Sequence, residues 1–573
     1  MCGQKMHSRI TAVILNASEE STNTDPSLTL RMTRFLLCTL ITTIIFSSSP
    51  RLSSALTVEE LDQKLSDRSS TFYREFFDQV VYYPISIPLR WDRWISRFHG
   101  RESLNVNIFD EIADSSFFKN RHGRKLMSIQ ELVAGPNLAG PDAGPWTVVK
   151  GKDDGYQIGF FIKDKKGDRY LLKFDPIDHP EMSTAAEIIG HKFFYAFGYH
   201  VPQYNLVHFK PEDLVPDPKA TYYNSKGFKK PLTREAILEL LQKISMGREG
   251  RYRAVASRIL EGKAKGWMSF EGVRKGDPED LIPHEDRREL RALRVFASWI
   301  NHYDLRPQNT LDVIVEENGE TFVKHYLIDF GSTLGSAGSH VKWPAAVHES
   351  IIDWSEIGEA IMVFKFDYKS WERRWDQNQR QVVYPAIGYF DNLKFKPQRW
   401  TSQLHHEVFK RVTEADGYWA AKTISKFSNA MIESLVKTGE ISDKEAEAYL
   451  IKTLIERRDM VTRYWFSQVV PLENIKVESG TNGTAAISFI DLAAQSGFET
   501  ASDVRYRFKV GKGAWKEFSG NSIEVTTASN LMTISIEKKS PSQKSWGDRP
   551  IRLTIEKSAQ SNGFRLVGIQ RGR

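Results

Sequence analysis

Residues 301–309 read NHYDLRPQN and residues 327–331 read LIDFG, and most of what can be inferred about this chain starts from these two segments. They contain Asp304, Asn309 and Asp329, each close to apolar residues typical of strands. Carboxylate and amide oxygens can accept a proton or bind a hard divalent cation. We therefore expect the three side chains to form one site.

Two carboxylates and one amide suit phosphoryl transfer, because that reaction depends mainly on positioning and on offsetting charge. Magnesium keeps several of its waters, so one or two carboxylates and the phosphate oxygens are enough to bind it. An Asp that holds no metal can orient a hydroxyl group and take its proton. The pattern thus gives each of the three residues a separate task.

The segment 302–309, HYDLRPQN, resembles the catalytic loop of protein kinases, H-R-D-L-x-x-x-N, and the segment 329–331 resembles their D-F-G motif. The spacing between the Asp and the Asn of the loop matches. Tyr303 replaces the Arg that reads a phosphorylated activation loop in many kinases. Control by loop phosphorylation is therefore not expected.

This resemblance implies a role for each matching residue. Asp304 would be the catalytic base, and Arg306 would take the place of a lysine that faces the phosphate. His302 is the third predicted catalytic residue. Asn309 and Asp329 would bind magnesium.

Lys173 ends an apolar strand, where an unpaired ammonium group would be costly, so a partner is expected. A helix is predicted from Thr184 to Gly198, and Glu187 lies in its first turn. Glu187 can pair with Lys173, as in a kinase-like fold, or close a capping box with Thr184. We favour the ion pair, since strand, lysine, helix and glutamate follow in kinase order.

Glycines near Lys173 are candidates for nucleotide binding. Gly151, Gly155 and Gly159 would let backbone amides approach a phosphate. Their spacing is not G-x-G-x-x-G, and turn formation explains them equally well. Three strands are predicted in this region: Trp146 to Lys150, Ile158 to Lys163 and Tyr170 to Phe174.

The order of a lysine strand, an A-A-E helix and G-Y-x-V-P at residues 198–202 resembles the HipA-like and lipid-kinase-like branch of the atypical protein-kinase-like superfamily. The resemblance covers residues 146–335 and implies an exported bacterial member that uses ATP and magnesium. It also implies that a strand at Tyr204 to Phe209 leads into the hinge that carries adenine.

The first 55 residues are expected to lie outside the fold. Met32 opens a secretory signal with a basic flank, an apolar core at Phe35 to Phe46 and a small-residue cleavage site. Export to the periplasm or beyond the cell, with no stable membrane span after cleavage, is therefore predicted. An uncleaved anchor is the alternative. Both cysteines lie in this segment, so thiolate zinc sites and cysteine catalysis are excluded from the mature chain.

The composition is that of a globular protein, with 40% hydrophobic and 26% charged residues. The formal charge of +7 is small for 573 residues, and basic and acidic residues alternate, so nucleic acid is not an expected partner. Several basic residues of a polar insertion could bind an acidic substrate or an anionic lipid surface, or could form a solvated helical face. They are Arg248, Arg251, Arg253, Lys263 and Lys265.

The predicted fold class is α+β, with a kinase-like two-lobed domain made of a small β-rich lobe and a large helical lobe. A helical prelude precedes it and an antiparallel, sandwich-like β domain follows. The boundaries are 1–55 (signal segment), 56–145 (prelude and linker), 146–209 (small lobe), 210–470 (large lobe, with an insertion at 210–284) and 471–573 (β domain). Helices of the large lobe are predicted at Glu285 to Ile300, Asp353 to Phe364, Tyr418 to Lys437 and Lys444 to Phe466.

The function predicted is transfer of a phosphoryl or nucleotidyl group from magnesium-ATP to a hydroxyl acceptor. Two other functions stay open: a catalytically inactive kinase-like scaffold outside the cytoplasm, and a surface protein in which the acidic residues only bind a cation. The missing glycine-rich signature and the lack of an A-P-E motif favour the inactive scaffold. The sequence identifies neither the acceptor nor the oligomeric state.

Overall fold

The computed structural model describes residues 56–68, 77–82, 86, 102–137, 139–152, 157–224, 227–343, 346, 348–350, 384–480, 483–526, 529–541, 543–547, 549–557 and 563–572. Three predictions fall outside these ranges: the signal segment at 1–55, the helix from Asp353 to Phe364, and Gly155 as a nucleotide-binding glycine.

The prelude is less helical than predicted. Its helical segments in the described ranges are α1 (Val58–Lys64), a π-helical turn (Asp78–Tyr82) and α2 (Ile129–Ala134). A capping box stands at the start of α1: Thr57 Oγ1 accepts from the N–H of Glu60 at 3.2 Å, and Glu60 Oε2 accepts from the N–H of Thr57 at 2.9 Å. Residues 102–128 form turns, bends and irregular segments and not the predicted helix.

A six-stranded sheet forms the next layer. Its strands are β1 (Trp146–Gly151), β2 (Gly159–Lys163), β3 (Arg169–Phe174), β4 (Tyr204–Phe209), β5 (Leu214–Pro216) and β8 (Tyr252–Arg258), in the order β4-β8-β3-β2-β1-β5. Paired strands are antiparallel except for β1 and β5, which are parallel. The three strands predicted before residue 175 are therefore present.

Strand β8 lies in the stretch predicted to be a polar insertion. It pairs with β3 on one side and β4 on the other, so that Val255 lies opposite both Lys173 and Leu206. The other elements of this stretch are β6 (Thr221–Tyr223), β7 (Lys229–Pro231) and α4 (Arg234–Leu241). Buried Ile237 and Leu241 of α4 belong to the core that covers one face of the sheet.

Residues 259–262 carry the chain from this sheet to a second one. The second sheet consists of β9 (Lys263–Ala264), β10 (Thr310–Glu317) and β11 (Glu320–Leu327), in the order β11-β10-β9. Gly262 makes the crossing possible, because its φ is +104° and a Cβ there would lie 2.3 Å from the carbonyl oxygen of Ile314. The β10–β11 hairpin joins the segments 301–309 and 327–331.

Helices enclose the largest core. They are α3 (Met182–Phe197), α5 (Arg288–Ile300), α6 (Glu407–Lys410), α7 (Glu414–Ile424), α8 (Asn429–Lys437) and α9 (Lys444–Ser467). The single helix predicted from Tyr418 to Lys437 is in fact α7 and α8, because Ser428 caps a new helix by accepting from the N–H of Met431. Helix α9 is capped by Asp443, whose side chain accepts from the N–H groups of Glu445 and Ala446.

The last part of the chain is an antiparallel two-sheet structure, as predicted. The strands are β12 (Leu472–Ser479), β13 (Ala485–Asp491), β14 (Arg505–Val510), β15 (Lys516–Phe518), β16 (Ser522–Val525), β17 (Leu531–Lys539), β18 (Ile551–Lys557) and β19 (Phe564–Gln570), with α10 (Leu492–Gln495) after β13. The sheets have the orders β12-β13-β16 and β15-β14-β17-β18-β19. Residues of both sheets share one hydrophobic core, which is why the two sheets pack face to face.

Buried charges tie this β domain to the helices and the prelude. Arg571 lies 2.9 Å from Asp110 Oδ2 and 2.8 Å from Glu473 Oε1. The same Asp110 pairs with Arg288 at 2.7 Å, and Arg288 Nε lies 3.1 Å from Asp416 Oδ1. Since each charge is paired, the network avoids the cost of an isolated buried ion and joins segments that are far apart in sequence.

The described chain is thus a mixed α/β protein with several sheets. Among the helices in the described ranges, none combines the length and the apolar character needed to cross a membrane.

Candidate active site

Lys173 lies between two carboxylates, one of which is the predicted partner. Its Nζ is 2.5 Å from Glu187 Oε1 and 3.0 Å from Asp329 Oδ1. The side chains of Lys173 and Glu187 are 6% and 1% exposed, while that of Asp329 is 37% exposed. Burial disfavours the charged ammonium, but the two carboxylates outweigh it and hold the pKa of Lys173 well above its usual value.

The helix that carries Glu187 begins earlier than predicted, and this decides between the two roles of that residue. Helix α3 starts at Met182, so Thr184 is not its N-cap. The N–H and Oγ1 of Thr184 both donate to buried Asp175, at 2.8 and 2.7 Å. The capping box is therefore absent, and Glu187 is free to pair with Lys173 while its Oε2 accepts from the N–H of Phe330 at 2.9 Å.

The Asp329-Phe330-Gly331 turn is held against α3 and β4. Asp329 has a φ of +61°, a left-handed conformation that is uncommon for a residue with a side chain, and its N–H donates to the hydroxyl of Tyr204 at 3.1 Å. Gly331 passes close to Glu187: a Cβ there would lie 3.2 Å from Oε1. The turn thus places Asp329 in the cleft and Phe330 in the core.

The pKa values of the two carboxylates beside Lys173 are shifted in opposite directions. Burial raises the pKa of Glu187 to about 7, although Lys173 opposes this change. For Asp329, burial raises the pKa, but Lys173 and then Lys152 outweigh it and hold the pKa below its usual value. Asp329 is therefore ionised at neutral pH, as a metal ligand must be.

Asn309 and Asp329 are brought together by the β10–β11 hairpin. Asn309 immediately precedes β10, and the N–H of Ile328 donates to the carbonyl oxygen of Asn309 at 3.0 Å. The Asn309 Nδ2 donates to the backbone oxygen of Asp304 at 2.7 Å. The three residues singled out from the sequence thus share one site.

Asp304 is largely buried and only loosely paired. Its Oδ1 lies 3.2 Å from Arg306 Nε, yet neither atom has a partner with hydrogen-bond geometry. Burial raises the pKa of Asp304, which Arg306 partly opposes. A buried carboxylate oxygen without a donor is unusual in a folded protein.

His302 lies beneath the site and not in it, so its predicted catalytic role is corrected. The residue is 1% exposed, and its ring makes edge contacts with Phe194 and tilted contacts with Phe330. Burial lowers the pKa of His302 to about 3, so the ring is neutral at ordinary pH. It serves the packing of the loop.

Two buried cations below the loop were missed from the sequence. Lys342 Nζ donates to the carbonyl oxygens of Asn301 and Leu334, and Arg457 donates to those of Ser298 and Trp299 at the end of α5. Burial lowers the pKa of Lys342 well below its usual value and that of Arg457 to about 9. They hold the end of α5 and the start of the segment 301–309 through backbone carbonyl oxygens, a role that no local motif indicates.

Gly151 and the basic cluster have other roles than predicted. A Cβ at Gly151 would lie 2.7 Å from the side chain of Tyr222, so this glycine allows β1 to approach β6. Arg253 is buried and donates to Thr184 Oγ1 at 2.8 Å and to the carbonyl oxygen of Gly439 at 2.5 Å. Lys265 is likewise buried and pairs with prelude carboxylates, so the predicted basic patch is not a common surface.

A cavity of about 700 Å³ lies elsewhere, between the end of α9 and the carboxy-terminal sheets. Its lining includes Arg463, Phe498 and Lys538 and none of the site residues. Within the described ranges no group of three or more His, Cys, Asp or Glu side chains is arranged to hold a metal ion.

The comparisons with known proteins match this chain to solved structures only. No protein-family model matches the sequence, and no curated protein matches it. The chain is similar to the crystal structure of the Helicobacter pylori proinflammatory kinase CtkA, with 12% identity, a TM-score of 0.26 and coverage of 55% of this chain and 94% of that chain. It is also similar to two structures of the Golgi casein kinase.

One of these, with Mn/ADP bound, is 9% identical, with a TM-score of 0.26 and coverage of 74% of this chain and 89% of that chain. The other is 10% identical, with a TM-score of 0.27 and coverage of 74% and 91%. Structural similarity at these identities and TM-scores does not establish a function, so a function has to be inferred from the geometry of the site.

Proposed function

We propose that this chain is an atypical kinase-like protein that transfers a phosphoryl group from magnesium-ATP to a hydroxyl acceptor. The single observation that carries the proposal is the position of Lys173, buried between Glu187 and Asp329. The pair fixes a charged ammonium at the end of β3, where it can contact phosphate oxygens. Structural ion pairs also perturb pKa values, so the neighbouring residues matter as much as the pair itself.

The residues beside Lys173 fit a magnesium ion. Asp329 supplies an ionised, partly exposed carboxylate. Asn309 uses its amide nitrogen to hold the loop, which leaves the amide oxygen as its metal-ligating atom. Oxygen ligands of this kind suit magnesium, which retains waters and needs few protein ligands. When bound, the ion would offset charge on the phosphates.

Asp304 is the proposed base. Its Oδ1 is buried and accepts no hydrogen bond in the described structure, so it can accept one from the acceptor hydroxyl. The acceptor oxygen forms a bond to the γ-phosphorus, the bond from that phosphorus to the β–γ bridging oxygen breaks to release ADP, and the proton goes to Asp304. Arg306, 3.2 Å away, favours the ionised form before the reaction.

The nucleotide base is proposed to lie against residues 259–262. Sequence order had placed this edge after β4, but β8 lies between β4 and β3 in the sheet. Residues 259–262 are the segment that crosses from this sheet to β9, so they border the cleft between the two sheets. Membership of the HipA-like branch and export from the cytoplasm are further parts of the proposal, and mass spectrometry of the mature amino terminus tests export.

The test is a thermal-shift titration of the purified chain with ATP, with magnesium, and with both. A transferase should be stabilised only when both are present, and Asp329→Ala should abolish the shift. Asp503→Ala, at an exposed residue of the β domain, is the matched control and should leave it intact. No shift under any condition would indicate the inactive scaffold, and a shift with magnesium alone would indicate a cation-binding surface protein; either result overturns the proposal.

A further inference from the structure

An alternating ladder of cations and indole rings stands on the carboxy-terminal domain. Lys509 Nζ and Arg507 Cζ each lie 4.7 Å from the ring centre of Trp515. Arg507 Cζ also lies 4.6 Å from that of Trp546, and Arg505 Cζ lies 5.9 Å from it. Contacts of this length are attractive cation–π interactions. The ladder thus holds three cations in a fixed row along β14.

The strand register adds two more cations to the same face. Arg505 pairs with Lys539 of β17, and Lys509 pairs with Ser535, which in turn pairs with Arg552 of β18. Residues directly opposite each other in an antiparallel ladder project to the same face. We call this surface the basic face; it consists of Arg505, Arg507, Lys509, Lys539 and Arg552.

Only part of the charge of the basic face is balanced. Glu537 is 8% exposed at its side chain and accepts from Arg507 Nε at 2.7 Å, and Glu517 pairs with Arg505. By register, Glu517 and Glu537 are the carboxylates of this face that lie opposite Arg507. In the part of the chain that the structure describes, the other three cations make no ion pair: Lys509, Lys539 and Arg552. The face therefore keeps an uncompensated positive charge.

The excess charge is concentrated here in the sequence as well. Residues 505–552 contain ten Lys and Arg residues against four Asp and Glu residues, in a chain whose formal charge is only +7. Two of the ten cations pair with carboxylates outside this range, Lys538 with Asp491 and Glu499 and Arg549 with Glu414, which leaves eight against four. A clustered field of one sign attracts ligands of the opposite sign and speeds their encounter.

The ladder also limits what the ligand can be. Each indole ring already has two of the protein's own cations over it, and these compete with a nucleic-acid base or a sugar ring for the π-faces. The basic face would therefore recognise its ligand by the charge of the ligand and the spacing of its charged groups. Alternate residues of a strand are about 6.8 Å apart, and alternate residues of an extended peptide have the same spacing.

We propose that the basic face docks an acidic polypeptide segment in an extended conformation, with Asp or Glu at alternate positions. Lys509, Lys539 and Arg552 then meet carboxylates of the segment, while Arg505 and Arg507, which pair with Glu517 and Glu537, extend the row along β14. This surface is independent of the candidate active site, and its function does not require transferase activity.

The experiment measures fluorescence anisotropy of a labelled peptide of alternating Glu and Ser with the full chain at low salt. Saturable binding is expected, weakened by added salt. The variant Lys539→Glu/Arg552→Glu places like charges against the peptide and should weaken binding by about tenfold or more. Circular dichroism of each variant shows that it is folded.

The matched control is Lys512→Glu/Lys516→Glu, which changes the net charge by the same amount. Lys516 pairs with Phe508 and so belongs to the opposite face, and Lys512 lies in the turn between β14 and β15. This control should bind as the unaltered chain does. Equal loss in both double variants would overturn the proposal, since binding would then follow net charge alone.

Two further ligands test spacing and ligand class. A peptide of the same composition with its Glu residues in one block should bind more weakly, and equal binding would refute recognition by alternate positions. Single-stranded DNA and phosphatidylserine vesicles should bind more weakly than the alternating peptide at the same ionic strength. Tighter binding of either would assign the face to nucleic acid or to a membrane surface and overturn the proposal.

Discussion

Replacing Lys173 by Met should destabilise the protein far more than replacing an exposed lysine. The side chain is 6% exposed, and its partner Glu187 is 1% exposed. Lys173→Met leaves the Glu187 carboxylate buried without its cation and also removes the cation beside Asp329. Breaking a buried pair in this way costs about 3–5 kcal/mol of unfolding free energy.

A double-mutant cycle separates this pair from general disruption of the core. Glu187→Gln keeps an oxygen that can accept from the N–H of Phe330, and it leaves Lys173 paired with Asp329, so we expect a loss of about 1–2 kcal/mol. In the double variant the uncompensated Glu187 carboxylate is absent. Its cost should therefore be smaller than the sum of the single costs by about 2 kcal/mol.

Urea unfolding followed by tryptophan fluorescence measures each variant. Because burial raises the pKa of Glu187 to about 7, the coupling should increase as the pH rises through 7 and the carboxyl group ionises. The pair Lys437 and Glu433, with side chains 56% and 47% exposed, is the control and should show no measurable coupling. Additive costs for Lys173→Met and Glu187→Gln, within about 0.5 kcal/mol, would refute the reasoning.

Further predictions concern the loop, acid stability and a tight turn. Asp304→Asn should abolish phosphoryl transfer while the thermal shift with magnesium-ATP persists; loss of both would show that Asp304 is needed for nucleotide binding as well. Burial lowers the pKa of His191 and His406 to about 3, so both must take up a proton on unfolding below pH 6.5, and stability should fall with pH. Each contributes about 2 kcal/mol of loss by pH 5, and urea unfolding of His406→Gln should show a smaller loss between pH 7 and pH 5 than the unaltered chain. Gly198→Ala should lower stability by at least about 2 kcal/mol in the same assay, because φ there is +133° and the new Cβ would lie 2.2 Å from the Phe118 ring; an unchanged midpoint would contradict this.

Local motifs predicted the candidate site better than the fold around it. The Lys173–Glu187 contact followed from a costly buried ammonium and a nearby carboxylate, whereas the β10–β11 hairpin that brings Asn309 to Asp329 is given by the structure alone. The site residues lie in short sequence motifs, so short stretches of sequence were enough to identify them as candidates. These motifs could not reveal a residue such as Lys342, which lies outside them and donates to the backbone oxygens of Asn301 and Leu334.

Strand β8 was missed for a physical reason. It is buried between β3 and β4, so its residues show no clean alternation of polar and apolar side chains. Arg253 within it made the stretch look solvated, although that guanidinium is buried and held by Thr184 and Gly439. The neighbour of β3 was therefore unknown from the sequence, which is why the proposed position of the nucleotide base moved from β4 to residues 259–262.

Of two groups of basic residues in the sequence, one lies on a common face and the other does not. The two-residue period of a strand explains the difference. Arg505, Arg507 and Lys509 alternate along one strand, so a period of two places them on one face whatever the rest of the fold does. Arg253 and Lys265 lie on different elements, and their directions depend on the register of distant strands. A cluster of charges in a sequence is thus evidence for a surface only where local periodicity fixes the side. That condition holds for the three cations of β14 and not for Arg253 and Lys265, while Lys539 and Arg552 join the basic face only through the register of β17 and β18.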